Sequence, residues 1–404
     1  MGLSATKEVS YASESSFAEN ASDFSALTFS KRLPVLDVRK DFGQERMDDG
    51  SLQVRANDAR PGYLGPRKGS LEIDVYWCGH NAVCTGALTE TWLQDLLSDG
   101  LGGGDVTQVG GTVGAGSSAT SIVYSAATLV RGGMIRIGAK ADGRADAQFV
   151  VVGTPFTTPA TLLTAAPGAP NNNDVLYAAQ IAYPKETLGV TKRFLVGHSV
   201  ADSQFIAIGC QLESLALKLA IGEIPRLTLK YTVARWLRYT KTVPVVATLE
   251  DCKAAIWSSG SVFLQTVGTA TRATEAVNEI ELTLEMGLSA RDGLATGATD
   301  MTIVSYERMP VKATISLSKA FATDWDTLYD SDGSDSTKKH ILITGSTTDG
   351  KATAIYAPSA FIVGPRPQDV DYRGLVNTRA TFRCQEGPDT TNDLTRSCIR
   401  FASA

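Results

Sequence analysis

The sequence predicts a mainly β protein: two tandem units of β-sandwich or barrel type, each with a short helix, and a small β module inserted in the first. Three observations carry this. Within residues 205–236, Leu215–Leu219 and Leu227–Val233 alternate with a period of two on either side of Gly222-Glu223-Ile224-Pro225, the pattern of a long hairpin. Glycine accounts for 37 of 404 residues, β-branched residues are frequent and runs with helical period are few, a balance that favours strands. The order of elements around the hairpin then recurs once further along the chain.

Taken in order, residues 1–30 are polar and rich in Ser, Ala and Glu, and are expected to be an arm that orders only against a neighbour. Residues 33–38 read as a short strand, 39–66 as a long polar loop and 70–77 as a cleanly alternating strand. Residues 89–97 read as a helix with Trp92, Leu93, Leu96 and Leu97 on one face, stopped by the glycines at 100–104. Residues 105–190 change character to Gly/Ser/Thr-rich turns and short strands at 134–137 and 148–152, the expected insert. In the hairpin, Leu227, Leu229, Tyr231 and Val233 share one face and Thr228, Lys230 and Thr232 the other.

Residues 241–277 are expected to link the halves. Then 279–284 answers the strand near Leu36, 287–306 answers the polar loop and 311–317 answers 70–77. A helix at 324–329 carries Trp325 as the first carries Trp92. A second hairpin, 352–384, has Pro365-Arg366-Pro367 near its expected turn. The first unit is thus 31–104 with 191–240, and the second is 278–404.

Composition narrows the function. The net charge of −5 argues against a general phosphate-binding surface, which needs clustered Lys and Arg. The six cysteines form no C-x-x-C pair and only three histidines exist, so no zinc site is expected. No secretory signal is visible, and all the cysteines are expected to be free thiols in a reducing cytosol. No apolar run reaches membrane length, since Glu213 and Lys218 interrupt the best candidate. Met1-Gly2-Leu3-Ser4-Ala5-Thr6 fits the short myristoylation pattern, a chance match at this length.

Three motifs point toward chemistry and fall short. Gly197-His198-Ser199-Val200-Ala201 has the outline of a nucleophile elbow, but Ala201 stands where that turn needs glycine, and a strand follows instead of a helix. His340 is the only downstream histidine for a triad. Gly114-Ala115-Gly116-Ser117-Ser118-Ala119 fits a loose dinucleotide fingerprint, but a poor helix former follows. Asp330-Ser331-Asp332-Gly333-Ser334-Asp335 spaces oxygen ligands as calcium loops do, with Ile341 where a glutamate is required. No catalytic, cofactor-binding or metal residue is assigned.

The chain resembles the phage tail tube proteins (major tail proteins) of long, non-contractile tails. The resemblance rests on 69–75 followed by Trp92-Leu93-Gln94-Asp95-Leu96-Leu97 and its Gly-rich exit. It rests also on Phe194-Leu195-Val196-Gly197 leading to 209–215, and on 279–292, covering roughly 30–384. It implies a non-enzymatic virion protein without cofactor, whose sheets join side by side into rings that stack into the tube through which phage DNA leaves. Two units per chain imply three chains per ring with pseudo-sixfold symmetry. The implied partners are other copies of itself, the tail terminator, tape measure and tail-tip proteins, and DNA passing through the lumen without sequence-specific binding. No membrane insertion is implied, and the implied location is the virion tail, assembled in the host bacterial cytoplasm. On this resemblance both hairpins line the bore, with Lys218 and Lys230 paired to carboxylates or turned from the axis. Another virion β-protein (tail-tip, baseplate or decoration component) stays open as an alternative, and behind it a hydrolase on a β scaffold.

Overall fold

A computed structural model describes residues 7–17, 28–29, 31–42, 46–47, 63–64, 69–79, 91–104, 108–138, 148–153, 159–164, 166, 169–198, 204–239, 249–257, 262–267, 272–294, 301–320, 325, 338–348, 350–372 and 375–404. The fold is mainly β. The first unit opens with β1 (Lys7–Ser13), β2 (Lys31–Leu33), β3 (Val35–Asp41), β4 (Arg46–Met47), β5 (Tyr63–Leu64) and β6 (Gly69–Tyr76), then α1 (Trp92–Leu101) and β7 (Gly102–Gly103). The insert contributes β8 (Gly111–Val113), β9 (Ser121–Ile122), β10 (Tyr124–Ser125), β11 (Met134–Gly138), β12 (Gln148–Val151), β13 (Ala160–Thr161), β14 (Val175–Ala178) and β15 (Gln180–Pro184). The unit closes with β16 (Lys192–His198), β17 (Gln204–Ala220) and β18 (Arg226–Tyr239).

The second unit comprises β19 (Val262–Thr266), β20 (Arg272–Glu275), β21 (Glu279–Glu285), β22 (Leu288–Leu294), β23 (Met301–Arg308), β24 (Lys312–Lys319), β25 (Lys339–Ser346), β26 (Thr353–Tyr372) and β27 (Leu375–Cys384). A short helix, Asp393–Arg396, and β28 (Arg400–Ser403) follow.

Pairing order is the same in both units. The first runs β2–β1–β16–β17–β18–β6–β3. The second runs β20–β19–β25–β26–β27–β24–β21. Register agrees as well: Val38 stands opposite Ile73 as Leu282 stands opposite Ile315. The polar stretches between these strands also match, since Arg46 opposes Leu64 as Ala290 opposes Tyr306. The expected loop 287–306 is therefore largely the hairpin β22–β23; of the described residues within the expected loop 39–66, 39–41 extend β3, and 46–47 with 63–64 form the corresponding ladder β4–β5.

β17 also pairs with β21, which fuses the halves into one sheet of order β3–β6–β18–β17–β21–β24–β27–β26. Period-two alternation places Leu215, Leu217, Leu219, Leu227, Leu229, Tyr231, Ile280, Leu282, Leu284, Ile315 and Leu317 on its buried face. They share one core with α1 and with a second layer that supplies Val9, Tyr11, Phe194, Val262, Leu264 and Ile341. The layering is that of sandwiches; the sheets do not close into a barrel.

α1 begins where Thr91 accepts a hydrogen bond from the Gln94 amide at 3.2 Å, a standard N-cap. It runs past the expected end at Leu97 because Gly100 lets the helix lie against Leu212. It stops at Gly102, whose φ of 81° is left-handed and whose amide bonds to the Ser98 carbonyl. Trp92 and Trp325 are both fully buried, and Trp92 donates to the Asp251 carbonyl at 3.0 Å. Trp325 is the one described residue of the expected helix at 324–329, and it is helical.

Several expectations need correction. The supposed arm contributes β1, held between β2 and β16 with Val9 and Tyr11 fully buried. Its alternation is too short to read alone and becomes a strand because neighbours satisfy both edges. The supposed linker 241–277 contains β19 and β20, so the second unit starts before residue 278. The expected strand 33–38 is two strands separated at Pro34. Pro365 and Pro367 lie inside β26 rather than at its turn, where pairing with β27 is interrupted between Val363 and Gln368; a proline that cannot donate to the ladder is tolerated there.

The insert has its own sheet, β10–β8–β14–β11–β12, and its own core around Val113, Ile135, Val150 and Leu176. Although it interrupts the first unit, it packs on the second. Met134, Phe149 and Val151 share a cluster with Leu342, Ala354 and Tyr356. β15 leaves the insert sheet to pair with β28, so the module ends before residue 190. Finally, Cys78 and Cys252 are joined by a disulfide, with Cα atoms 5.5 Å apart, contrary to the expectation of free thiols; Cys210, Cys384 and Cys398 are free.

Candidate assembly edges and the polar sheet face

The fused sheet turns one face to the core, and its other face is polar across the described strands. Charges of opposite sign there face each other across neighbouring strands. Arg39 of β3 pairs with Glu72 and Asp74 of β6. Lys230 of β18 meets Glu213 of β17 at 2.9 Å. Lys218 of β17 meets Glu279 of β21 at 2.7 Å and Glu281 at 3.8 Å, and Arg379 of β27 also reaches Glu281. Lys218 and Lys230 are thus both accompanied by carboxylates, as expected. Such exposed pairs contribute only about 0–1 kcal/mol each, so their effect is on the charge the face presents more than on stability.

The seam between units is a full antiparallel ladder from Ser214 opposite Glu285 to Ala220 opposite Glu279. Beyond it, β23 lies over the first unit. Tyr306 packs on Ala234 with Ile303, and its hydroxyl donates to the carbonyls of Gly209 at 2.8 Å and Thr232 at 3.1 Å. Gly209 adopts a left-handed φ of 64°, and its amide donates to Glu14 Oε1 at 2.9 Å.

At the two ends of the sheet, β3 pairs with β6 on one side and β26 beyond Ala360 pairs with β27 on one side. No described strand pairs along the other side of either. These two ends correspond by pairing order to β21 and β17, the two strands that meet at the seam. An unpaired strand edge is a template for pairing with another chain.

Behind the sheet, the densest polar cluster fastens the first unit. Lys192, with its side chain 2% exposed, contacts Asp95 at 2.6 Å, Asp99 at 2.5 Å and the Ser13 hydroxyl at 2.8 Å. Tyr11 donates to Asp95 Oδ2 at 2.7 Å, and Lys31 reaches the same oxygen at 3.2 Å. Burial works to raise the Asp95 carboxyl, but Lys192, Tyr11 and Lys31 outweigh it and hold the carboxyl below its ordinary range. Burial pushes the Tyr11 phenol far up, and the Asp95 charge adds to this. The cluster ties β1, β2, α1 and β16 together.

The chemical motifs fare as follows. His198 is the last residue of β16 and Ser199 lies outside the described residues. His340, in β25, is buried with Nδ1 2.9 Å from the Tyr356 hydroxyl, and burial lowers its pKa to about 4. Gly114–Ser118 forms turns between β8 and β9, with no helix after them. The 330–335 segment lies outside the described residues. Among the described residues, no group of three or more His, Cys, Asp or Glu is placed to hold a metal ion. No described helix is long and apolar enough to cross a membrane. Sequence reading found the hairpin and its charges. It did not find the seam, whose only signal is that the strand at 279–284 alternates with the same phase as the hairpin. No protein-family model and no curated protein matches the chain.

Proposed function

We propose that this chain is a structural virion protein that polymerises into the tail tube of a long-tailed phage, as stacked rings of three chains through which DNA passes. The repeated pairing order supports the reading that the chain is a tandem duplication. The single observation that carries the function is the β17–β21 seam. It joins a hairpin strand of the first unit to the edge strand β21 of the second, and the fused sheet ends in the same two kinds of edge, β26 and β3. Repeating the seam between chains gives a heterologous contact that can close by rotation into a ring and leaves no exposed edge. The paired charges of the polar face suit a wall past which phosphate slides, because each uncompensated Lys or Arg would strengthen DNA binding.

Negative-stain microscopy of the purified chain tests the reading. Tubes or stacked rings are expected. Monodisperse particles at every concentration would overturn it and favour another virion role, as a tail-tip, baseplate or decoration protein.

A further inference from the structure

At the seam, one carboxylate on the polar face serves both units. Lys218 of β17 stands opposite Glu281 of β21, and Glu281 opposite Ser316 of β24. In the neighbouring row, Glu279 stands opposite Ser318, and Ser318 opposite Arg379 of β27. The two serines of β24 are short, so the Arg379 guanidinium crosses that strand and reaches Glu281. Glu281 therefore meets a cation from each unit: Lys218 of the first at 3.8 Å and Arg379 of the second. Lys218 also meets Glu279 at 2.7 Å, and the hydrogen bond to that carboxylate holds its ammonium above the ordinary range. Both cations are charged at neutral pH. The Lys218 side chain is 56% exposed and that of Arg379 36%, so each is within reach of a polyanion at this face.

We propose that Glu281 keeps the seam from gripping DNA, by neutralising one cation from each unit. Loss of another carboxylate of the face uncovers less. Arg39 is met by Asp37, Glu72 and Asp74, and keeps partners when one of them is removed. Glu213 answers one cation, Lys230. Register shows why the seam is the sensitive place. Asp37 and Asp74 hold in the first unit the positions of Glu281 and Ser316 in the second, so where the first unit has two acids the second has one. Without Glu281, Lys218 is left to Glu279 and Arg379 loses the carboxylate it reaches. Without both glutamates, two cations stand uncovered side by side, and each phosphate they neutralise strengthens binding. The proposal rests on the reading that DNA passes this face, and it names the residue on which easy passage depends.

The test is binding of a short fluorescent DNA duplex to the full chain, read by anisotropy at several salt concentrations, with assembly followed by negative-stain microscopy and folding by circular dichroism. Glu279→Gln/Glu281→Gln is expected to fold as the native chain does and to bind the duplex more tightly. The gain should fall about tenfold between about 50 and about 200 mM salt, as two phosphate contacts require. Glu281→Gln alone should give a smaller gain with about half that salt slope, because Lys218 keeps Glu279. Adding Lys218→Gln and Arg379→Gln to the double variant should abolish the gain. Rings of either glutamate variant that bind DNA no better than native rings would overturn the role of Glu281 and leave the tube reading standing. A gain that survives removal of Lys218 and Arg379 would overturn that role as well. Chains that gain binding but stay monodisperse, native and variant alike, would uphold the masking by Glu281 and overturn the tube. Neither rings nor a gain from well-folded chains would overturn both.

Discussion

Leu217 of the first unit stands directly opposite Leu282 of the second, and both are almost completely buried. This pair lies at the middle of the seam that makes one sheet of two units, so the halves should not unfold independently. Leu282→Ala is expected to lower stability by about 2–5 kcal/mol, as truncation of a buried leucine does. Lys218→Ala, beside it on the polar face, removes exposed pairs and should change stability by no more than about 1 kcal/mol. Denaturant titration of both variants checks this, with one cooperative transition expected for the native chain.

Acid sensitivity should have two separable origins. His340 is held neutral in the fold at a pKa of about 4, below its ordinary 6.5. The stabilisation this represents is present above pH 6.5 and is lost as pH falls toward 4. Asp95 is also held below its ordinary range, so its contribution is present above pH 3.8 and is lost at lower pH, as the carboxylate takes up a proton. His340→Gln should flatten the stability profile between pH 6.5 and 4. Asp95→Asn should flatten it below that and also destabilise at neutral pH by about 3–5 kcal/mol, because Lys192 loses a buried partner. Stability measured against pH for the native and variant chains decides both.

β1 should be indispensable to the first unit. Deleting residues 7–13 uncovers the facing edges of β2 and β16 and removes Val9 and Tyr11 from the core. Loss of the folded signal by circular dichroism is expected. The milder Tyr11→Phe keeps the ring and removes only the hydroxyl that donates to Asp95, for an expected loss of about 1–3 kcal/mol.

The Cys78–Cys252 bond closes a span of 174 residues, from the end of β6 to the segment before the second unit. Reduction should therefore destabilise by about 2–4 kcal/mol. Cys252→Ser should reproduce that loss and raise by one the thiols titrated in the denatured, unreduced protein.

Much of this architecture was legible where alternation alone decides it. Leu227 to Val233 and the segment before Trp77 are buried on the predicted faces, and Trp92 sits in the predicted helix. What was missed depends on partners distant in sequence. Val9 and Tyr11 are too few to announce a strand, and become one because Phe194 and Leu33 belong to strands on either side. Val262 and Leu264 in the expected linker are the same case, paired to β25. Pro365 and Pro367 read as a turn, but pairing is interrupted around them and the strand resumes. Alternation does not mark Lys192 for burial; its burial requires Asp95 and Asp99 one helical turn apart on α1, a coincidence visible only in three dimensions.

The central claim, that the chain polymerises by repeating its own seam, is tested most directly by a three-dimensional reconstruction of the assembled protein. The expected result is a closed ring of three chains with β26 of each beside β3 of the next, in the antiparallel arrangement seen for β17 and β21, and the polar face toward the bore. Rings joined through the insert, with both hairpins on the outside, would contradict it.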